Sequence, residues 1–372
     1  MNTFGAYQTY YESGDLFTQS SSAISWIGSI QAFMVQVFGL LSGPLYDKGH
    51  FRLLLIGGSA LIVFGQMMLS LCHEYWQALL AQAFCIGIGA GCLFVPAVAI
   101  LSTYFTTKLP AAVGIAASGS ILGGVIYPIV FHKLLNQVGF AWTTRVLGLM
   151  MLATLAVSVG LMKPRILPSK TRSLVDFTAL KEPAYLFFVA GGALVFLGLY
   201  TPFFYIDYYV ISTNITNANL GFYFLVIVNA GSVFGRIFPN LVAVRTGSFN
   251  MIIPCTIGSG VFILALIASK TVPTVVIVSA FYGFFSGTFV SVPPACFVQL
   301  SPNRSLIGTR MGMGFLLVGI GGLIGSPIAG VLLEHSGWTS VWIFSGVPTL
   351  AGAVCMVCSR QCYTKGRIVC KA

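Results

Sequence analysis

The sequence predicts an all-α polytopic membrane protein, and three observations predict it. Apolar residues make up 57% of the 372 and charged residues only 7%, which leaves too little polar surface for a water-facing exterior. Charge-free stretches of roughly 17 or more residues recur along the chain, each enough for one helix across a hydrocarbon core about 30 Å thick. The net charge of +11 is dispersed between those stretches instead of gathered in a patch, which argues against nucleic-acid binding and for membrane-flanking positions.

Eleven such stretches are found, starting at Leu16, Leu53, Tyr75, Leu109, Val146, Pro183, Tyr208, Thr246, Thr271, Met311 and Ser336. Helix is expected for all of them, because only a helix satisfies its backbone inside lipid without a partner segment. Ahead of them, Met1 to Tyr11 (MNTFGAYQTYY) reads as the last turns of a further, truncated first helix ending at Glu12. It has neither the basic start nor the small-residue cleavage site of a signal peptide.

Orientation follows from the basic residues. Alternate loops hold sixteen of the nineteen, among them Lys48, Arg52, Lys108, Arg165, Lys170, Arg172, Arg245, Arg304, Arg310 and Lys371, and only Lys133, Arg145 and Lys270 lie on the other side. The first set is therefore expected in the cytoplasm, together with the tail from Ser359. The same topology turns Asn214-Ile215-Thr216 outward as an N-glycosylation acceptor.

Lys163 to Pro183 (KPRILPSKTRSLVDFTALKEP) breaks the apolar rhythm with five basic residues, two acidic residues and three prolines, and reads as a cytoplasmic linker. The expected division is an N-terminal helical bundle over 1–162, the linker 163–183, a C-terminal bundle over 184–358 and a tail over 359–372. The two halves repeat. Val95-Pro96, Gly123-Gly124 and Tyr127-Pro128 return as Val292-Pro293, Gly321-Gly322 and Ser326-Pro327, at offsets of 197, 198 and 199 residues. The turns beginning at Gly43 and Gly235 correspond at an offset of 192. Internal symmetry of this kind is how secondary transporters build alternating access.

Four stretches carry a family resemblance: GPLYDKGHFR from Gly43, YFTTKLPAAVGIAASGS from Tyr104, FGRIFPNLVAVRTGSFN from Phe234, and LSPNRSLIGTRMGMGFLLVGIGGLIGSPIAG from Leu300. With them the chain resembles the major facilitator superfamily, and within it fungal proteins similar to monocarboxylate porters. The resemblance implies two six-helix bundles rocking around a solute. It also implies loop motifs that set conformation, here Gly43, Asp47, Lys48, Arg52, Arg245 and Arg310. Asp47 is placed to cap a helix or to pair with Lys48 and Arg52. The chain departs from the porters at three places: Ser232 stands where an Asp is expected one turn before Arg236, Met1 to Tyr11 has no Lys, and Val244 replaces an Asp before Arg245.

For the solute site the residues themselves offer Arg236, the one ionisable group the sequence places within a span, on a face shared with Asn229 and Ser232. That stripe can take an anion, or Arg236 can snorkel to the membrane surface and hold a loop. Gln31, Gln82 and Tyr200 are the uncharged candidates, with Gln8, Gln36 and Tyr205 behind them. Mid-span glycines, Gly312 to Gly325 among them, serve either static packing or a sliding interface.

No reactive constellation is present, since His50, His73, His132 and His335 are scattered and the nine cysteines are dispersed. Neither an enzyme nor a cofactor or metal site is expected. Cys355, Cys358, Cys362 and Cys370 are candidates for lipidation. The reading is a monomeric carrier of a small organic solute, with or without a coupled proton, multi-pass in the plasma membrane and plausibly exporting a fungal secondary metabolite. A truncated inactive remnant and a non-transporting sensor of the same fold are the alternatives.

Overall fold

The computed structural model describes residues 3–104, 109–164, 173–303 and 306–367. Lys108, Arg165, Lys170, Arg172, Arg304, Cys370 and Lys371 lie outside them. Helix dominates and no strand occurs among the described residues. In chain order the helices are α1 (Phe4–Glu12), α2 (Ser21–Asp47), α3 (Phe51–Leu69), α4 (Tyr75–Ala78) and α5 (Gly87–Tyr104), the last two joined by a π-helical stretch, Leu79–Ile86. Next come α6 (Leu109–Leu161), α7 (Pro183–Ser212), α8 (Ala218–Gly221), α9 (Tyr223–Thr246) and α10 (Ser248–Ala265). The last three are α11 (Val272–Ser291), α12 (Pro293–Gln299) and α13 (Ile307–Thr364).

Nine helical stretches among the described residues are long and apolar enough to cross a membrane, against the eleven spans expected. The difference lies in α6 and α13, of 53 and 58 residues, which as straight rods would be about 80 Å long. Each turns back at a glycine with positive φ, Gly139 at 73° and Gly337 at 74°. These two glycines are 198 residues apart, and so are the turn glycines Gly49 (φ 89°) and Gly247 (φ 101°). The repeat is therefore written in the backbone. The offset of 192 expected for the loop after α2 is corrected to the 198 shared by the rest.

A second correction concerns α7. The sequence ends one span near Ile206 and begins another at Tyr208, because Asp207 interrupts the charge-free run. In the structure α7 continues through Asp207 to Ser212, and the next crossing helix begins at Tyr223. The helix expected at the N-terminus is present as α1, and its Phe4, Ala6, Tyr7 and Tyr11 are buried.

Lipid gives apolar side chains no reason to leave it, so helix contact rests on close packing. A Cβ added at Gly235 of α9 would sit on the Phe284 carbonyl oxygen of α11, and one at Gly283 of α11 on the Val228 carbonyl of α9. Gly198, Gly321 and Gly325 pair α7 with α13 in the same way, against the carbonyls of Ser345, Ala193 and Leu197. These are static seams. Gly312, Gly319 and Gly330 of α13 instead face α2, with an added Cβ 2.6 Å from Leu40, 3.2 Å from Gln36 and 2.6 Å from Ser22.

Arg310 is wholly buried and carries five side-chain hydrogen bonds. Its Nε donates to Asp176 Oδ2 (2.8 Å), Nη1 to Glu182 Oε2 and the Leu300 carbonyl (both 2.7 Å), and Nη2 to Glu182 Oε1 (2.6 Å) and Thr178 Oγ1 (3.2 Å). Nearby, Thr309 Oγ1 donates to the Ser173 carbonyl (2.6 Å) and the Tyr185 hydroxyl to the Arg310 carbonyl (2.8 Å). The segment expected to be a featureless linker is thus latched to the start of α13, with a 3₁₀ turn at Ala179–Lys181 between the two carboxylates.

Gly235→Ala is expected to destabilise the folded protein by about 2–3 kcal/mol through overpacking, whereas Gly57→Ala, with open space around it, is expected to be near neutral. Thermal melting of the detergent-purified variants checks this. Arg310→Ala strands two carboxylates and is expected to cost about 3–5 kcal/mol. The Thr178 hydroxyl, and after it the Arg310 guanidinium, holds the Asp176 carboxyl below its ordinary range despite some desolvation. A depressed carboxylate stabilises the fold above its unfolded value of about 4 and loses that contribution as pH falls further. The melting difference between wild type and Asp176→Asn should therefore be constant at neutral pH and disappear below about pH 4.

Candidate functional site

The ends of the helices define two poles. At one, the basic pole, lie Lys48, Arg52, Arg245 and the Arg310 latch. At the other the Tyr205 hydroxyl donates to the Ser21 carbonyl (3.1 Å), the Ser22 amide donates to Glu334 (3.3 Å), and Gly330 nests on Ser22. These contacts join α2 to α7 and α13 and close the far pole. On the basic side a small cleft lies between α2, α5 and α13, lined by Gln36, Leu40, Phe94, Thr309, Met311 and Phe315.

Arg236 lies between the poles, on α9. Its Nη1 donates to Ser120 Oγ on α6 (2.9 Å), so the side chain crosses from the later helices to the earlier ones. Its Nε is buried and has no hydrogen-bond partner, and no carboxylate among the described residues pairs with it. It lies within electrostatic reach of Tyr200 on α7. The Tyr200 ring stacks on Phe204 (5.8 Å between centroids, 29°) and meets the edge of Phe196 (5.6 Å), while Phe204 meets Phe4 of α1 (4.6 Å). Gly322 leaves room in front of Phe196 and Tyr200. The arrangement is one unneutralised cation beside an aromatic wall, in a chain where charge at this depth is expensive.

The other expected residues are distributed differently. Asn229 is buried and its amide donates to the Leu225 carbonyl (3.0 Å) of its own helix. Ser232 is buried against Gly287 of α11, with its hydroxyl unbonded. The stripe exists as a helix face, yet only Arg236 reaches across to α6. Gln82 sits in the π-helical stretch and accepts from the Tyr11 hydroxyl (2.8 Å), tying α1 in place. Gln31 is buried beside Gly87 of α5. Gln36, one turn further along α2, is the glutamine that lines the cleft.

Of the loop residues, Gly43 lines the cleft, Asp47 is buried, and Lys48, Arg52 and Arg245 are exposed. The cap position of α3 belongs to His50, which makes no side-chain cap bond. Asn214 is exposed in the turn after α7, with φ 54°.

Four participants are missing from the sequence reading. Ser120 lies within the quoted stretch from Tyr104, but nothing in its spacing marks it as a partner of Arg236. Asp176 and Glu182 look like solvated linker charges. Asp207 is 1% exposed within α7, so Arg236 is not the lone ionisable group at depth. Counting aromatic residues on both sides of it as one run is the signal that would have found it.

Known proteins agree with this architecture. The sequence model of the Major Facilitator Superfamily matches residues 2–267 and 241–361. An MFS-type transporter of Emericella nidulans, dbaD, is 49% identical over 353 residues, covering 94% of this chain and 80% of the relative. The Agnestins efflux protein of Paecilomyces divaricatus is 38% identical over 369 residues, 99% of this chain and 85% of its own. The Aspyridones efflux protein of Emericella nidulans is 36% identical over 356 residues, 95% and 72%. A helical membrane chain with a 198-residue repeat in its turns, matched by that model over nearly its whole length, belongs to the Major Facilitator Superfamily.

Proposed function

We propose that this chain exports a small organic anion, a fungal secondary metabolite, by alternating access, and that Arg236 receives the anion. The observation that carries the reading is the guanidinium between α9 and α6, which holds a serine hydroxyl where a counter-charge would be expected. Tyr200, Phe204 and Phe196 supply a flat apolar surface for the body of the solute. Efflux is supported by relatives named for it, the Agnestins and Aspyridones efflux proteins.

The chain crosses the plasma membrane eleven times, dividing α6 and α13 at their turn glycines, as a monomer whose basic pole faces the cytoplasm. Residues before and after 163–183 form the two rocking bodies. The closed far pole and the cleft at the basic pole correspond to the state that loads solute from inside. Transport is driven by the solute's own gradient or by a coupled proton. Asn214 faces outward as a glycosylation acceptor.

Arg236→Ala is expected to lower export by about 10–150-fold, the worth of about 1.5–3 kcal/mol for a hydrogen bond to a charged group, at unchanged membrane abundance. Ser120→Ala frees the guanidinium and is expected to keep or raise export. Yeast expressing each form, fed a panel of aromatic organic acids and assayed by mass spectrometry of the medium, measures this. Wild-type rates from Arg236→Ala would make Arg236 a strut between α9 and α6.

A further inference from the structure

We propose that Asp207 is a proton-binding site of this protein, neutral while the far pole is closed and exchanging its proton with the outside when that pole opens. The inference builds on the carrier reading above and adds the residue on which a coupled proton would travel.

Asp207 is 1% exposed on a turn of α7 whose neighbours Phe203, Phe204, Tyr205, Ile206 and Val210 are also buried. One carboxyl oxygen, Oδ1, accepts from the Leu225 amide of α9 (2.8 Å). The other, Oδ2, is buried and has no hydrogen-bond partner. No cation pairs with it, since the ion pairs among the described residues join Arg310 to Asp176 and Glu182.

The titratable groups on the surrounding elements are committed elsewhere. On α7 itself the Tyr205 hydroxyl goes to the Ser21 carbonyl, and that of Tyr209 to the Leu266 and Ser269 carbonyls. On α1, Tyr7 accepts from Gln66, Tyr11 donates to Gln82, and Glu12 accepts from Gln8 and Ser21. On α11 the Tyr282 hydroxyl donates to the Leu199 carbonyl. On α6, His132 stacks on Phe222 beside Lys133, and on α13 Glu334 accepts from Ser22; Tyr208 of α7 and Tyr223 and Arg236 of α9 make no hydrogen bond or ion pair with Asp207.

An ionised carboxylate in this setting would leave an anionic oxygen desolvated and unpaired. A neutral acid keeps the one bond it has, with its carbonyl oxygen on the Leu225 amide, and buries no net charge. The balance reverses with hydration. Leu225 lies in the first turn of α9, where backbone dipoles favour an anion once water can reach it. Gly5 of α1 packs on the Phe203 carbonyl and the Leu225 side chain, on the face of α7 that carries Asp207 one turn later, and Glu12 at the end of α1 accepts from Ser21 at the far-pole contact. Separation of α1 from that face admits water to the turn, and Asp207 then releases its proton to that water or takes one from it. Proton occupancy and closure of the pole are linked through one helical turn.

Infrared spectroscopy of the whole protein in liposomes, titrated in pH without solute, reads this directly. The expected result is a protonated carboxyl C=O band that persists at neutral pH, above the usual aspartate range of about 4, shifts on ¹³C-aspartate labelling and is absent from Asp207→Asn. The amide oxygen of Asp207→Asn keeps the Leu225 contact, and if that variant fails to fold, the isotope shift in wild type and a displaced band in Asp207→Glu decide instead. Absence of the band at neutral pH, or its persistence unchanged in Asp207→Asn, overturns the assignment. Because no solute is involved, that failure leaves the carrier reading untouched, and failure of the carrier reading is seen in the export assay alone.

Discussion

Lipid does not reward the burial of apolar side chains, and the rest of this structure depends on that constraint. What brings helices together is the close approach of backbones, and the seams α7 with α13 and α9 with α11 are made where glycine lets a carbonyl oxygen take the place of a side chain. Such seams are rigid because a single methyl group would part them. The contacts of α13 with α2 are mixed: Gly330 lies on the Ser22 backbone at the far pole, whereas Gly312 and Gly319 meet side-chain atoms of Leu40 and Gln36, which can yield. A stiff body therefore abuts its neighbour along a softer line, which is the mechanical condition for rocking.

The same medium makes every buried charge informative. Arg310 and Arg236 are both arginines on long helices, yet Arg310 is saturated by two carboxylates, a hydroxyl and a carbonyl, while Arg236 holds one serine hydroxyl. A saturated guanidinium fastens the segment after Ser173 to α13. One left short of partners is available to something that comes and goes. Asp207 presents the acidic counterpart of this argument, with one oxygen used and one unused. The distinction between structural and functional charge lies here in completeness of bonding.

Much of the fold was legible in the sequence, because composition and charge-free run length are direct consequences of the bilayer. The repeat was legible too, through its prolines and paired glycines, although the loop register was drawn six residues short. The turn glycines Gly49 and Gly247 carry the equivalence, and positive φ cannot be seen in a letter. The break expected at Asp207 failed for a physical reason. A charge ends a charge-free run of sequence, but an acid with an amide to accept from can stay inside a helix. Arg236 stands out in the sequence by its chemistry, whereas its partner Ser120, 116 residues away in sequence, is visible only in the fold. Gln82 was a sound candidate by composition and turned out to be held by Tyr11.

The central claim is that the two poles open alternately, and inter-residue distances at both poles measure it without knowledge of the solute. Spin labels at the exposed positions Gln19 and Ser336 on the far pole, and at Lys48 and Asn303 on the basic pole, are placed after replacement of the native cysteines. The account predicts two distance populations at each pole, shifting in opposite directions as the pH outside liposomes is lowered. A single distance at both poles under every condition would contradict it.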